Sequence, residues 1–326
     1  MEEYHRPVLL RETVEALDIQ DGGWYLDCTL GDGGHTLEIL KRGGKVLGID
    51  VDPQAIERAK GRLGKLGLLG KVKLVQGNFR DLKNLISQTE PKGLRFKGVL
   101  FDLGVSSLQL ENPARGFSFA KEGPLDMRMD PELQVKALDL VNGLNKGELD
   151  ELFTRLGEEK NSRALADALV SARQVRLISS TRQLAEVVEK VVGGKRGLPA
   201  GLRLRGRSDS RSRQGKIHPA TRIFQALRIA VNDELNALRE GLAKALEVTV
   251  ESGHILVISF HSLEDRIVKE AFRRWQAEGL GRVVTKKPIT PDAVEISENP
   301  RSHSAKLRVF EVERYDNYQK IRPRTI

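Results

Sequence analysis

The strongest chemical signal in this chain is the stretch Tyr25-Leu26-Asp27-Cys28-Thr29-Leu30-Gly31-Asp32-Gly33-Gly34-His35-Thr36, followed by Val46-Leu47-Gly48-Ile49-Asp50-Val51-Asp52-Pro53. The order is strand, glycine-rich turn, helix, second strand, acidic tip, the first half of a nucleotide-type site. Glycines let the backbone approach a ligand closely, and the following helix N-terminus favours an anionic group. Asp50, closing the second strand, suits a ribose diol. These features together imply an adenosine-containing cofactor.

The turn meets the dinucleotide fingerprint G-x-G-x-x-G only loosely, because Gly31-Asp32-Gly33-Gly34-His35 lacks the third glycine at the required offset. S-adenosylmethionine carries a carboxylate, an amine and a sulfonium in place of a pyrophosphate. Asp27 and Asp32 suit that amine and would repel a pyrophosphate. A methyltransferase site is therefore favoured over a nicotinamide site, and a ligand-free structural turn is the plain alternative.

Two further segments empty polar groups from strand ends. Val99-Leu100-Phe101-Asp102-Leu103-Gly104-Val105-Ser106 places Asp102 where it could hydrogen-bond a poorly nucleophilic exocyclic amine; equally, Asp102 could bind the methionine moiety or cap the next turn. Ile258-Ser259-Phe260-His261-Ser262-Leu263-Glu264-Asp265 offers His261 as a polar group or proton acceptor, although Ser262 with Asp265 also reads as a helix start. Asp102 and His261 are the catalytic candidates. The single cysteine, Cys28, excludes an internal disulfide and reads as a core thiol, and no metal-ligand spacing of His and Cys is present, so no metal is expected.

These groups need a scaffold. Apolar, β-branched runs at Trp24 to Cys28, Lys45 to Ile49, Val72 to Gln76 and Gly98 to Leu103 alternate with helical patterns, which predicts an α/β unit with a parallel sheet. A fifth strand, His254 to Phe260, comes far downstream, and Gly281 to Lys286 with Ala305 to Val312 could close as an antiparallel hairpin. Between the fourth and fifth strands the period is helical. Leu149, Leu152, Phe153 and Leu156 share a face, as do Leu184, Val187, Val188 and Val191, and Asp130-Pro131-Glu132 reads as a helix opening. The predicted organisation is residues 1–111 as the first part of the α/β domain, 112–215 as an all-helical insertion, and 216–326 as the second part, beginning with one long helix near Thr221 to Leu246.

Lysine and arginine exceed the acids by nine, and the pI lies near 9.6, which suits a polyanionic partner. Arg115-Gly116-Phe117-Ser118-Phe119 interleaves cations and aromatics, either to stack single-stranded bases or to anchor the insertion. Arg203, Arg205, Arg207, Arg211 and Arg213 read as a loop for phosphate backbone or as a solvated linker. No apolar run approaches a membrane span and the acidic start is wrong for a signal peptide, so the expected location is cytoplasmic.

With these residues assembled, the chain resembles the MraW (RsmH) family, methyltransferases of the exocyclic N4 of a cytosine in small-subunit ribosomal RNA. The resemblance runs nearly end to end through His5-Arg6-Pro7-Val8-Leu9-Leu10, Gly33-Gly34-His35, Asp50 to Pro53, Asp102 to Ser107, Arg115 to Phe119, Gly123 to Asp130, His218-Pro219-Ala220-Thr221-Arg222, Ser259 to Arg266 and Asn299-Pro300-Arg301-Ser302. It implies a Rossmann-like S-adenosylmethionine-dependent fold with a helical inserted domain, and a substrate in the decoding region of small-subunit (16S) RNA, naked or in the assembled subunit, with no DNA or membrane partner. It further implies that Gly33, Gly34 and His35 line the cofactor's methionine end, Asp50 holds the ribose, Phe79 lies against the adenine, and Asp102 and Gln109 complete the pocket. Asp102-Leu103-Gly104-Val105 departs from the acid-or-amide, two-proline, aromatic motif of many amino-directed methyltransferases, so another group must position the base. A non-catalytic RNA-binding assembly factor on the same scaffold is the alternative reading.

Overall fold

The computed structural model describes residues 4, 6–89, 91–194 and 218–313. Seven strands, β1 (Trp24–Asp27), β2 (Lys45–Asp50), β3 (Val72–Gln76), β4 (Phe96–Asp102), β5 (Thr249–Ser259), β6 (Gly281–Val283) and β7 (Lys306–Val312), form one sheet in the order β3-β2-β1-β4-β5-β7-β6. Strands β1 to β5 are parallel, whereas β7 runs antiparallel to both β5 and β6. β6 and β7 pair antiparallel as expected, but the connection between them, read from the sequence as free of helix, carries helix Ala293–Glu298. This is the Rossmann-like methyltransferase arrangement that the alternating strand and helix patterns predicted.

The strands are apolar on both sides because both faces of the sheet are covered. Side chains alternate across it: Leu26, Leu47 and Phe101 join Leu238, Leu242, Ile267 and Phe272 in one core, while Tyr25, Val46 and Leu100 join Leu17, Ile39 and Leu40 in another. Helices 234–248 and 262–277 thus supply the first face, and the segment around Leu10–Ala16 with helix Gly34–Lys41 supplies the second. Strand order reverses between β1 and β4, so the carboxyl ends of these two strands flank the crevice where open α/β sheets bind ligands.

The described chain divides into two compact units, one holding the residues up to Ser106 and from Glu234 onward, the other Ser107 to Asp233. The second unit is helical and therefore wider than the 112–215 read from the sequence. Its helices Lys146–Gly157, Ser162–Val175, Thr181–Gly194 and Pro219–Asn232 pack on one another and bury Leu149, Phe153, Leu165, Leu169, Leu184, Val188, Ile223 and Leu227. The long helix expected near Thr221 to Leu246 is two helices, Pro219–Asn232 and Glu234–Val248, separated by Asp233 in a left-handed conformation (φ 49°). Short polar Asp tolerates that conformation better than most residues. One helical period ran through the break and concealed it.

Asp130-Pro131-Glu132 does not open a helix. Asp130 Oδ1 accepts the Glu132 N–H at 2.9 Å, and the Arg128 guanidinium takes the Pro131 and Leu133 carbonyls, which satisfies the segment as a turn; the helix begins only at Ala137. The cations and rings of the Arg115 loop also serve the unit itself. Arg115 donates to the Arg128 and Met129 carbonyls, Phe117 is buried, and Phe119 stacks on His218 at 4.6 Å with Phe224 edge-on. The arginine-rich stretch Arg203 to Arg213 lies outside the described residues. Among the described residues, no helix is long and apolar enough to cross a membrane.

Phe310 on β7 is fully buried between Phe272 and Trp275, with ring centroids 5.3 Å from each. Phe310→Ala is expected to remove about 3–5 kcal/mol of stability, read as a lower urea midpoint with the far-ultraviolet spectrum retained below the transition.

Candidate active site

Three carboxylates close β1, β2 and β4. Asp27 is 1% exposed and accepts the Thr36 hydroxyl at 2.7 Å and the Thr29 N–H at 3.2 Å. Asp50 accepts the Gly31 N–H at 2.8 Å on one oxygen and the Asp52 N–H at 2.9 Å on the other. Burial raises both carboxyls to about 6, partly opposed by these hydrogen bonds. Asp102 donates its N–H to Thr29 Oγ1 at 2.6 Å, tying the end of β4 to the turn that follows β1.

The Asp102 side chain carries the site's unmet demand. Its Oδ2 lies 3.6 Å from His35 Nδ1, while Oδ1 is buried with no hydrogen-bond partner. Burial first, then the charges of Asp27 and Glu264, push this carboxyl well above the usual range. A cation or N–H donor entering beside Oδ1 would satisfy the oxygen and draw the group back to its ionised form.

The glycine turn is shaped by backbone need. Gly31 and Gly33 adopt φ of 51° and 70°, the left-handed region that glycine enters without strain, and a Cβ on Gly34 would overlap Pro7. Gly33 caps helix Gly34–Lys41 with no side-chain hydrogen bond, which presents backbone donors to an anionic group. His35 is buried, and its Nε2 lies 3.1 Å from the Val8 carbonyl. Because a carbonyl only accepts, Nε2 carries the proton and Nδ1 faces Asp102. The expected role of Asp32 beside an amine is not met: its carboxylate is held by Arg58 through bonds of 2.8 and 3.0 Å.

Phe79 opens the turn after β3, where Asn78 Oδ1 accepts the Arg80 N–H at 3.0 Å. Its ring meets Phe101 edge-on at 5.3 Å and lies against Gly241, where a Cβ would crowd it. Gln109 is buried in helix Ser107–Glu111 of the second unit.

His261 is the N-cap of helix Ser262–Ala277, one residue before the start that Ser262 and Asp265 suggested. Its Nδ1 accepts the Glu264 N–H at 3.4 Å, and Glu264 Oε2 reaches back to the Phe260 and His261 amides. Asp265 instead pairs with Arg308 at 2.6 Å, which holds it below the usual carboxylate range despite its burial. With Nδ1 accepting, the neutral ring carries its proton on Nε2, 3.2 Å from Glu264 Oε1. Glu234, His261 and Glu264 bring possible ligand atoms within 4.8 Å of one another, a trio that spacing did not reveal because Glu234 comes from a remote helix start. In this arrangement His261 presents Nε2–H, buried and without a hydrogen-bond partner, rather than a lone pair, which does not suit a metal ion.

Sequence reasoning missed Thr29, Thr36 and Glu264. The first two were visible as hydroxyls flanking the glycine turn, and Glu264 as the third residue of a capping box.

A sheet of this order, with carboxylates closing β1, β2 and β4 around a glycine turn, defines a nucleoside-cofactor transferase of the methyltransferase class. The MraW methylase family model matches residues 2–313, and the chain belongs to that family. The ribosomal RNA small subunit methyltransferase H of Carboxydothermus hydrogenoformans is 43% identical over 95% of this chain and 98% of its own length. The proteins of the same name from Thermomicrobium roseum and a Synechococcus strain are 44% and 46% identical, each over 94% of this chain and over 93% and 91% of their own lengths.

The cofactor of this class is S-adenosylmethionine, and the residues present fit it. Asp102 Oδ1 is a buried acceptor that a cationic or N–H-bearing group would satisfy, the Gly34 amide at the start of helix Gly34–Lys41 can donate to an anionic group, and Asp50 closes β2 beside the glycine turn. The buried acids also set a pH dependence. A carboxyl raised from the ordinary range to about 6 penalises the folded state as pH climbs from about 4 to 6, where the unfolded chain has already ionised. Asp27 and Asp50 should therefore make the ligand-free protein less stable across that window. Binding of a cationic cofactor should strengthen over the same window and level off above about pH 7, as measured by calorimetric titration at a series of pH values.

Proposed function

We propose that this protein transfers the methyl of S-adenosylmethionine to the exocyclic N4 of a cytosine in the decoding region of small-subunit (16S) ribosomal RNA. The observation that carries the reading is the buried, unpartnered Oδ1 of Asp102 at the end of β4, in a chain whose relatives are named as small-subunit ribosomal RNA methyltransferases. Cytosine N4 is a poor nucleophile because its lone pair is delocalised into the ring. An acceptor that takes an N–H bond from it localises that pair and favours a pyramidal, attacking nitrogen.

The cofactor, when bound, supplies a methyl on a sulfonium, so the leaving group is already activated. The protein's contribution is then alignment and charge. Gly33, Gly34 and His35 hold the methionine end and Asp50 the ribose, while Phe79 against the adenine and Gln109 are carried over on the family resemblance. Asp102 accepts from an amine at the reacting end, and His261, fixed by its capping box, presents Nε2–H beside Glu264 as the second catalytic candidate. The proton that nitrogen must lose after methyl transfer passes to Asp102 or to water. The net charge of +9 and the helical unit provide for RNA recognition.

Labelled methyl transfer to naked small-subunit RNA and to small subunits from cells lacking the protein, followed by nucleoside analysis, tests the assignment. Label is expected in N4-methylcytidine, and comparing the substrates shows whether the assembled subunit is required. Label in another nucleoside would refute the N4 assignment. Asp102→Asn is expected to lower kcat/KM roughly 10²-fold or more. Retention of the cellular role by this variant without the modified base would instead favour a non-catalytic assembly factor.

A further inference from the structure

The ring of His35 is set by a group far from it in sequence and outside the cofactor turn. The peptide joining Val8 to Leu9 is hydrogen-bonded at both ends. Its carbonyl accepts from His35 Nε2 at 3.1 Å, and its N–H donates to Glu295 Oε1 at 2.7 Å. The hydrogen-bonded path runs from the Glu295 carboxylate through one peptide group to the His35 imidazole, whose Nδ1 faces Asp102 Oδ2 at 3.6 Å.

The chain accepts strain to hold this geometry. Leu9 sits in the left-handed region (φ 51°, ψ 37°), which is strained for a leucine, and it is completely buried. Pro7 packs onto Gly34, Arg6 pairs with Glu298, and Asn299 Nδ2 donates to the Arg6 carbonyl at 3.4 Å. Residues 6–9 are thus clasped between helix Ala293–Glu298 and the glycine turn. Glu295 is itself fixed, since its N–H is capped by Asp292 Oδ1 at 2.8 Å.

We infer that Glu295 is a positioning residue for the methyl-transfer site, acting on His35 through the Val8–Leu9 peptide. A carboxylate on the N–H side polarises the peptide and makes the Val8 carbonyl a stronger acceptor. That bond holds the proton on His35 Nε2 and keeps the Nδ1 lone pair toward Asp102. His35 is thereby kept from turning a donor onto Asp102, and the carboxyl remains available to the cofactor and the substrate. The use assigned to this relay rests on the proposed function, but the relay itself does not.

Glu295→Gln keeps the shape and an acceptor oxygen while removing the charge; Glu295→Ala removes the acceptor. In the ligand-free protein, nitrogen-15 shifts of the His35 ring should report Nε2–H for the native chain and a mixture of tautomers for Glu295→Ala, with Glu295→Gln between them. In methyl-transfer assays KM for S-adenosylmethionine should rise roughly threefold to tenfold in Glu295→Gln, as expected for weakening one charge-assisted hydrogen bond, with kcat changed less. A native His35 spectrum in both variants would overturn the relay. A shifted spectrum with KM unchanged would overturn its role in positioning the site. If Glu295→Ala fails to fold, Glu295→Gln alone decides between these results. Absence of S-adenosylmethionine binding by the native protein would count against the proposed function, and the ligand-free spectra would still decide the relay.

Discussion

The structure turns on the burial of carboxylates at the carboxyl ends of parallel strands. Asp27, Asp50 and Asp102 finish three strands in buried or half-buried positions where water compensates their charge poorly, and each calls for donors from the neighbouring turn or strand. The donors at Asp27 and Asp50 come from Thr29, Thr36, Gly31 and Asp52, all within reach of the glycine turn. Asp102 has a backbone tie through Thr29 but leaves one side-chain oxygen unmet. A strand-end carboxylate whose neighbours are satisfied while its own Oδ1 is buried without a partner is pre-organised for a ligand carrying a cation and donors.

The rest of the fold serves this constraint. The two apolar faces of the sheet allow strands β1, β2 and β4 to be buried on both sides, which places their last residues at a common edge. At the end of β5 the same edge is finished by the reciprocal cap between His261 and Glu264, and Asp265 is turned away to pair with Arg308 on β7. The antiparallel hairpin thereby braces the helix that begins beside the site. Phe79 is oriented in a similar way: Gly241 has no side chain, so the ring can settle against helix Glu234–Val248 and Phe101.

The helical unit shows the opposite economy. Arg115, Phe117, Phe119 and Arg128 form a loop that looked like a nucleic-acid contact, yet their described hydrogen bonds and ring contacts close within the unit. Guanidinium groups that satisfy turn carbonyls stabilise backbone that would otherwise be left without partners. The basic balance of the whole chain remains the better indication of a polyanionic substrate than this loop.

Local pattern by itself determined the sheet, the glycine turn and the acids closing β2 and β4, because period-2 burial, positive-φ glycines and strand-end carboxylates are all written in adjacent residues. The pairing of the last two strands was legible from two short apolar runs, whereas helix Ala293–Glu298 in the connection between them was not. The break at Asp233 was not, since a helical period continues across it while one backbone dihedral changes sign. Tertiary structure alone decided which acids are free to meet a ligand. Asp32 and Asp27 look equivalent in sequence, but Arg58 takes the first and burial isolates the second. It also decided that Glu295 reaches the Val8–Leu9 peptide, because that hydrogen bond depends on where chain segments 286 residues apart are packed.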